Sequence, residues 1–313
     1  GRQPLQVRNL EQAIQELVSI DDIIRWSVTQ LNQSDVYYGH GTDNPIDEAR
    51  ALLSYVLQLT TVQLADMGHC RLLTAEKHEF TELLKQRIEQ HIPAAYLTHQ
   101  AWFAGLPFYV DERVLVPRSP IAELVENGFQ PWLTQQPRRV LDLCTGGGCI
   151  AIACAYAFPE AEVDALDIST EALEVAEFNI EQHGLTHQVT PIQSDLFEAV
   201  KAEKYDLIVS NPPYVDAEDM GDLPPEYHHE PELGLAAGND GLILVDKMLL
   251  EAPDLLNDGG LFVCEVGNSM PALAEKYPRT PFTWLEFANG GDGVFLLTKE
   301  QLIEHKQRET KVS

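Results

Sequence analysis

The first third of the chain carries apolar residues at helical spacing. One stripe runs over residues 14–26 and a second over residues 49–57, and Thr74 is a plausible start for a third. Apolar positions that recur every three or four residues predict amphipathic helices with one buried face. We therefore predict a small N-terminal helical domain of about four helices over residues 1–93.

The spacing changes after residue 93. Phe108, Val110, Val114 and Val116 alternate with polar neighbours, and Asp111-Glu112 makes a polar break between the two pairs. Alternation with a period of two, interrupted by a turn, predicts a β-hairpin. We predict that this hairpin links two domains and spans residues 94–118.

From residue 119 to the end of the chain, strand-like and helix-like segments alternate. The predicted helices are Ile150–Ala157, Glu171–His183 and Gly241–Leu256. The predicted strands are Arg139–Leu143, Glu162–Asp167, Val189–Gln193, Tyr205–Ser210, Leu261–Val266, Thr283–Phe287 and Gly293–Thr298. This alternation predicts an α/β fold with an open, largely parallel, Rossmann-like sheet. Ligands of such sheets bind at the carboxyl ends of the strands.

A glycine-rich turn follows the first of these strands and has two interpretations. Gly146-x-Gly148-x-x-Ala151, with Asp167 further along, resembles a dinucleotide fingerprint. Alternatively, Asp142 and Asp167 are the acids of an S-adenosylmethionine site. We favour the second, because a carboxylate beneath the loop repels a pyrophosphate but not a sulfonium or an amino group.

In the S-adenosylmethionine interpretation, Asp167 accepts hydrogen bonds from the ribose and Asp142 lies under the methionine portion. Asp195, after the third strand, accepts from the adenine amino group or else caps the following helix. The residues predicted to bind the donor are Asp142, Cys144, Thr145, Gly146, Gly148, Asp167, Ile168, Asp195, Leu196 and Asn211.

The fourth strand ends in the tetrapeptide Asn211-Pro212-Pro213-Tyr214, which we predict to be catalytic. Two prolines fix the backbone and present the Asn211 side chain and the Pro212 carbonyl rigidly. Two such acceptors suit a planar NH2 group, whose delocalised lone pair makes it a poor nucleophile. They bind both N–H hydrogens and favour the positive charge that develops during methylation. Tyr214 would pack on the flat face of the substrate group.

Acidic residues outnumber basic ones by more than two to one. The 313-residue chain has 49 Asp and Glu against 21 Lys and Arg, a formal net charge of −28 at pH 7. This charge opposes binding to nucleic acids and anionic membranes, because nucleic-acid affinity comes mainly from Lys and Arg that displace counterions. We expect no direct DNA binding and no membrane, and favour a basic protein partner. The alternative that stays open is that the negative charge serves only to keep the protein soluble.

The five cysteines are odd in number and form no C-x-x-C pair, so we expect reduced thiols and a cytoplasmic location. No apolar stretch is long enough for a membrane span. His228-His229-Glu230 invites a metal interpretation, but adjacent histidines diverge and no third ligand stands at useful spacing. We therefore predict no metal site.

Taken with these motifs, the chain resembles the class I S-adenosylmethionine-dependent methyltransferases with an Asn-Pro-Pro-Tyr motif. Within them it is most similar to the protein-(glutamine-N(5)) methyltransferases, from about Ala94 to Thr298. The supporting segments are Val114–Leu124, the Leu-Asp-Leu-Cys-Thr-Gly turn, Glu230-Pro231 and Gly238–Leu242. The resemblance implies a seven-stranded, mostly parallel sheet. It also implies transfer of one methyl group to a glutamine side-chain nitrogen, with S-adenosyl-L-homocysteine as the product.

Two branches of that family are similar to this chain. The donor turn with Cys144 and the segment Pro117–Leu124 resemble the PrmB-like branch, which modifies large-subunit ribosomal protein three. Enzymes for peptide-chain release factors usually carry glycine at the position of Cys144 and Pro-Glu-Thr near Ser119, and this branch is the alternative. Less favoured alternatives are an N(6)-adenine nucleic-acid methyltransferase and a non-catalytic ribosome assembly factor.

Several further features have two interpretations each. Phe103, Arg118 and Glu265 line the cleft or else pack and satisfy strand ends. Residues 215–237 form a long loop, which we predict to be a lid over donor or substrate. The aromatic segment Asp35–Gly41 is expected to be an ordered structural loop. The oligomeric state is left open.

Overall fold

The computed structural model describes residues 10–214, 221–232 and 241–311. The chain divides into two compact units, one of residues 1–100 with 224–229 and one of residues 101–223 with 230–313. The domain limits expected from sequence, 1–93, 94–118 and 119–313, stay a prediction. Residues 215–220 and 233–237 of the predicted lid lie outside the described residues, as do Gly238, Asn239 and Asp240 of the family motif.

The described part of the first unit contains six α-helices, five of them within residues 1–93, where about four were expected. They are α1 (Leu10–Glu16), α2 (Ile20–Asn32), α3 (Pro45–Leu57), α4 (Thr61–Asp66), α5 (Thr74–Glu89) and α6 (Ala94–Thr98). Side-chain caps define several starts: Ser19 and Thr60 form capping boxes, and Asn44 caps α3 just before Pro45. The apolar stripes that predicted the helices form the core, with Ile23, Leu52 and Phe80 fully buried.

The segment Pro224–His229 belongs to this first unit, although it is distant in sequence. The Glu226 carboxylate is buried, and it accepts hydrogen bonds from the Arg87 guanidinium at 2.8 Å and from the Tyr37 backbone N–H at 2.8 Å. Arg87 also pairs with Glu48 and donates to the Tyr37 carbonyl. The segment Asp35–Gly41 is therefore an ordered loop that contacts the segment Pro224–His229, directly and through Arg87. His229 faces the Gln90 carbonyl at 2.8 Å.

The second unit begins with a hairpin, and its position corrects the sequence prediction. Its strands are β1 (Ala101–Phe103) and β2 (Leu106–Phe108), and the turn is Ala104-Gly105, both at positive φ. Asp111-Glu112, predicted as the turn, is not one that joins two strands. The Asp111 carboxylate instead holds the Arg113 guanidinium and backbone N–H at 2.7–3.1 Å.

A seven-stranded sheet forms the centre of the second unit, in the order β5-β4-β3-β6-β7-β9-β8. The first four pairings are parallel, and the pairs β7–β9 and β8–β9 are antiparallel. The strands are β3 (Arg139–Leu143), β4 (Glu162–Asp167), β5 (Val189–Gln193), β6 (Tyr205–Ser210), β7 (Leu256–Glu265), β8 (Thr283–Trp284) and β9 (Val294–Thr298). The prediction of a mostly parallel α/β sheet is confirmed.

Helices cover both faces of this sheet. They are α7 (Ile121–Glu126), α8 (Cys149–Ala157), α9 (Thr170–Gln182), α10 (Ile243–Glu251), α11 (Met270–Lys276) and α12 (Lys299–Lys311). Successive residues of a strand enter different cores: Leu207 and Val209 pack with α7 and α8, whereas Ile208 packs with α10 and α12. Such continuous apolar strands are typical of parallel sheets buried on both faces.

None of the helices formed by the described residues is long and apolar enough to cross a membrane. Nor do the described residues bring three or more His, Cys, Asp or Glu side chains together in a group that could hold a metal ion.

Candidate active site

The sheet register brings the predicted site residues into one row. Leu143 at the end of β3 pairs with Leu166 of β4 and with Ser210 of β6, and Ser210 pairs with Cys264 of β7. The residues that follow these four are Cys144, Asp167, Asn211 and Glu265. They therefore lie side by side at the carboxyl edge of the sheet, where ligands of open α/β folds bind.

The turn after β3 is held by bonds to β4. The Thr145 N–H donates to the Leu166 carbonyl at 2.8 Å, and the Gly146 N–H donates to Asp167 Oδ2 at 2.9 Å. Gly146 and Gly148 have φ of 55° and 86°, values that glycine adopts at no steric cost. Cys144 has φ of 61° without being a glycine, so the turn holds backbone strain at the edge where the donor would lie.

Asp142 is fully buried beneath this turn. Its Oδ2 accepts from the Thr145 hydroxyl at 2.6 Å and from the Ala151 N–H at 3.1 Å, while its Oδ1 has no hydrogen-bond partner among the described residues. Burial raises the pKa of this carboxyl to about 7. A cationic ligand fits such a position, because it would favour the ionised form that burial disfavours.

Asp167 ends β4 with both oxygens engaged. Oδ2 accepts from Gly146, and Oδ1 accepts from the Ser169 N–H at 2.9 Å. Burial raises the pKa of Asp167 although these backbone donors oppose the shift. Each carboxylate oxygen has a second lone pair, so Asp167 is oriented and still able to accept from ribose hydroxyls.

The other predicted donor contacts are more exposed. Ile168, next to Asp167, is 51% exposed. Asp195 is exposed as well, and the cap of the following turn is made by Ser194, whose hydroxyl accepts from the Ala199 N–H at 3.0 Å. This bond weakens the capping interpretation of Asp195. Leu196 has φ of 49°, a second strained position at the same edge.

The tetrapeptide begins where β6 ends. The Ser210 hydroxyl donates to the Leu143 carbonyl at 2.8 Å, which ties this strand end to the donor turn. Asn211 Oδ1 is buried and has no hydrogen-bond partner among the described residues. Pro212 and Pro213 follow it without regular secondary structure. A buried acceptor left unmatched costs about 1–3 kcal/mol, so it marks a place where a ligand donor is expected.

Tyr214 is held at three points. Its carbonyl accepts from the Ser269 hydroxyl at 3.2 Å, and its hydroxyl is hydrogen-bonded to the Glu265 carboxylate. Its ring lies against Gly267, where an added Cβ would come within 2.8 Å of the tyrosine Cζ. Only glycine at position 267 leaves room for the ring.

The three residues predicted as possible cleft lining, Arg118, Glu265 and Phe103, lie in different surroundings. Arg118 makes a bidentate pair with Glu230 at 2.7 and 2.9 Å, and Glu230 also accepts from the Val116 N–H. Glu265 lies in the row of site residues. Phe103 instead packs in the hydrophobic core with residues of α7 and α8, which favours the packing alternative over the cleft.

Four neighbours of the site were not predicted as site residues: Ser119, Glu230, Gly267 and Ser269. Ser119 and Glu230 lie in segments that carried the family resemblance, and that was the available signal. Gly267 follows the end of β7 by two residues, a position where a glycine after a buried strand indicates close approach.

Of the cysteines near the turn, Cys149 and Cys154 are buried and Cys144 is half-buried. Burial, with the nearby Asp142 or Asp167 carboxylates, raises the pKa of the Cys144, Cys149 and Cys154 thiols well above the usual range. Cys264, at the end of β7, is likewise buried with a raised pKa. These thiols act as small apolar groups around the edge.

Two family models match the chain. One describes the methyltransferase small domain and covers residues 128–223, and the other describes the PrmC N-terminal domain and covers residues 22–98. Two relatives match almost from end to end, and both are named ribosomal protein uL3 glutamine methyltransferase. The Neisseria gonorrhoeae relative (strain ATCC 700825 / FA 1090) is 51% identical over 93% of this chain and 98% of its own length. The chain belongs to this methyltransferase family.

The relative from Neisseria meningitidis serogroup B is 50% identical over 93% of this chain and 97% of its own length. Among solved structures, a Pyrococcus furiosus methyltransferase covers 62% of this chain and 89% of its own, with 22% identity and a TM-score of 0.46. The hMettl16 catalytic domain in complex with a MAT2A 3'UTR hairpin covers 71% and 80%, with 17% identity and a TM-score of 0.47.

Family membership identifies the methyl donor and so favours the S-adenosylmethionine interpretation of the glycine turn. The protein is an enzyme with a class I methyltransferase fold, and S-adenosylmethionine is its methyl donor. The chain's residues fit such a cation, since Asp142 Oδ1 is buried without a partner in the described structure.

Proposed function

We propose that this enzyme methylates the side-chain amide nitrogen of a glutamine in a basic protein, with ribosomal protein uL3 as the substrate. The observation that carries this proposal is the buried Asn211 Oδ1, an acceptor with no donor among the described residues. A glutamine side chain offers two N–H donors in one plane. One would bind Asn211 Oδ1 and the other the Pro212 carbonyl. The names of the two Neisseria relatives support both the glutamine and uL3.

The proposed roles follow from the row of side chains. S-adenosylmethionine supplies an electrophilic methyl group. Asp167 and Asp142 hold the nucleoside and methionine ends of the donor, with Thr145, Gly146, Gly148, Ile168, Asp195 and Leu196 around it. Asn211 and Pro212 hold the amide hydrogens and so aim the nitrogen, and they stabilise the charge that develops there. Tyr214 packs on the amide plane. The departing proton passes to water.

Charge supports a basic substrate. Residues 1–100 carry 13 acidic and 8 basic side chains, whereas residues 101–313 carry 36 and 13. Most of the negative charge therefore lies on the part of the chain that contains the proposed site. A basic ribosomal protein would be attracted there, because complementary charge speeds encounter. A nucleic-acid substrate would be repelled, which disfavours the adenine alternative. A cytoplasmic location agrees with a ribosomal substrate.

The test is incubation with labelled S-adenosylmethionine and purified uL3, a release factor or ribosomal RNA, followed by mass spectrometry of the labelled product. We expect one methyl group on a glutamine side chain of uL3. Label on the release factor alone would move the enzyme to the other branch. Label on RNA would overturn the substrate class, and an active Asn211→Ala variant would overturn the assignment of the site.

Salt gives an independent test of the charge argument. Raising ionic strength from about 0.05 to about 0.5 M should lower kcat/KM for uL3 by roughly tenfold or more, because screening weakens steering. Binding of the small donor, measured by calorimetry, should change much less. If kcat/KM for uL3 and donor binding were equally sensitive to salt, the negative charge would serve solubility and not substrate capture.

A further inference from the structure

Glu265 is a buried acid that the proposed chemistry leaves unused. Its side chain is 4% exposed, and its Oε1 accepts from the Ser119 hydroxyl at 2.7 Å. The Ser119 oxygen in turn accepts from the Ile121 N–H at 3.1 Å, so its hydrogen is directed toward Glu265. Tyr214 provides a second hydrogen bond to the same carboxylate. Two hydroxyl donors therefore converge on one buried acid.

Backbone crowding fixes the other side of the tyrosine. The ring lies against Gly267, and an added Cβ on Gly293 would come within 2.7 Å of the Gly267 Cα. The Val266 N–H donates to the Gly293 carbonyl at 2.7 Å, which holds these two backbones together. The ring cannot move toward Gly267, and its hydroxyl is tethered at Glu265. Its plane is therefore defined from two directions.

The charge around Glu265 is consistent with an acceptor. Burial raises the pKa of Glu265, whereas Ser119, Tyr214 and the Arg118 guanidinium oppose that rise. Arg118 is itself paired with Glu230, so its position is fixed. An ionised carboxylate accepts hydrogen bonds about twice as strong as neutral ones. The ionised acid is thus the form that best holds the tyrosine.

We propose that Glu265 and Ser119 are positioning residues, which orient the Tyr214 ring through its hydroxyl and so set the plane against which the substrate amide packs. The inference rests on the proposed function, since it assumes that Tyr214 packs on a glutamine amide. It adds that rate depends on a tyrosine hydroxyl that the proposed chemistry does not itself use. Phenylalanine at position 214 would retain the ring but lose its orientation.

The test is a double-mutant cycle on methylation of uL3 with Tyr214→Phe and Glu265→Gln. Tyr214→Phe should lower kcat about tenfold, the effect of losing one hydrogen bond to a charged group. Glu265→Gln should lower kcat less, because its amide oxygen still accepts a hydrogen bond but carries no charge. The double variant should be no worse than Tyr214→Phe alone, because both changes act on the same hydrogen bond. Donor affinity should stay within about twofold. Ser119→Ala should give a smaller loss of kcat in the same direction.

Matched controls are Tyr156→Phe and Glu160→Gln, which make the same changes at exposed positions of the same unit. Both should retain wild-type kcat. Thermal unfolding of every variant separates misfolding from misplacement. If Glu265→Gln unfolds, Tyr214→Phe with Ser119→Ala completes the cycle.

Effects of Tyr214→Phe and Glu265→Gln that multiply, or that lower the melting temperature and leave kcat unchanged, would overturn the positioning role. The Asn211→Ala variant, assayed alongside, tells the two proposals apart. An inactive Asn211→Ala with multiplying effects at 214 and 265 defeats only this inference. An active Asn211→Ala defeats the proposed site itself.

Discussion

The carboxyl edge of the sheet has two parts: Asp142 and Asp167, which would bind S-adenosylmethionine (the donor half), and Asn211, which would bind the substrate (the acceptor half). The two parts differ in how many of their polar atoms already have hydrogen-bond partners within the protein. In the donor half, the Asp167 carboxylate already accepts hydrogen bonds from two backbone N–H groups. The Asp142 carboxylate accepts hydrogen bonds from one hydroxyl and one backbone N–H. In the acceptor half, Asn211 Oδ1 is buried with no donor in the described structure. Asp142 Oδ1 also lacks a hydrogen-bond partner in the described structure, so the contrast rests on Asp167 and Asn211. Under the proposed roles, Asp167 is oriented before S-adenosylmethionine binds, whereas Asn211 Oδ1 receives its hydrogen bond only from the substrate. Substitutions in the donor half should alter the affinity for S-adenosylmethionine, and substitutions in the acceptor half should alter kcat.

The sharpest test of this comparison is Asn211→Ala. We expect kcat to fall by about 10²–10³ or more, because a preorganised acceptor that stabilises developing charge is lost. The dissociation constant of S-adenosylmethionine, measured by calorimetry, should change only a few-fold. Asn127→Ala, at an exposed position after α7, is the matched control and should leave kcat unchanged. A large loss of donor affinity with kcat preserved would reverse the roles of the two halves.

The second test is Asp167→Asn. The amide retains one acceptor oxygen but loses the charge, so donor affinity should fall roughly 10- to 100-fold. At saturating donor, kcat should return to within a few-fold of wild type. Asp66→Asn, an exposed substitution in the helical unit, should leave both quantities unchanged. A kcat that stays low at saturating S-adenosylmethionine would contradict the expectation that Asp167 affects donor affinity and not the rate.

The third test is the pH dependence of donor binding. Asp142 has a pKa raised to about 7 in the free enzyme, and a cationic donor favours its ionised form. Affinity should therefore rise as pH increases through about 7 and level off above it, and binding near pH 7 should release a proton. Calorimetry in buffers of different ionisation enthalpy measures that release. Asp142→Asn should flatten the dependence, and an unchanged slope in this variant would assign it to another group.

The smallest expected effect concerns strain in the donor turn. A non-glycine residue in the left-handed region costs about 1–2 kcal/mol, so Cys144→Gly relieves strain while it loosens the unfolded chain. The free energy of unfolding, measured in denaturant, should change by no more than about 1 kcal/mol. Cys149→Gly, in the helix α8, should cost more than about 2 kcal/mol, because it loses helix propensity and packing. Equal losses at both positions would mean that the turn is not strained.

The candidate site at this edge could be proposed from the sequence because its signals are local. Asp167 ends an apolar strand, Asn211 follows one, and Asp142 lies one residue before the end of another, and parallel strands bring their ends together. The four strands β3 to β6 were predicted with their observed bounds, since buried parallel strands are short continuous apolar runs. The prediction was less accurate for β7, which begins at Leu256 rather than Leu261, and for β8, which ends at Trp284 rather than Phe287.

What the sequence could not provide depends on contacts between distant residues. The hairpin turn was placed at Asp111-Glu112, but a charged pair with Arg113 occupies that position and the strands meet earlier. Phe103 was offered as a cleft residue, and its burial depends on helices α7 and α8. The pair Arg118–Glu230 joins residues 112 apart in sequence. None of these follows from periodicity, because each needs the assembled fold.

The protonated thiols around the donor turn have a consequence for the conditions in which the enzyme can work. Peroxides and alkylating reagents attack thiolates, and burial keeps Cys144, Cys149, Cys154 and Cys264 in the thiol form. A thiol that stays protonated reacts slowly with both kinds of reagent. Methylation should continue through oxidative stress that stops enzymes with reactive cysteines, and the half-buried Cys70 of the helical unit should be modified before the buried Cys149, Cys154 and Cys264.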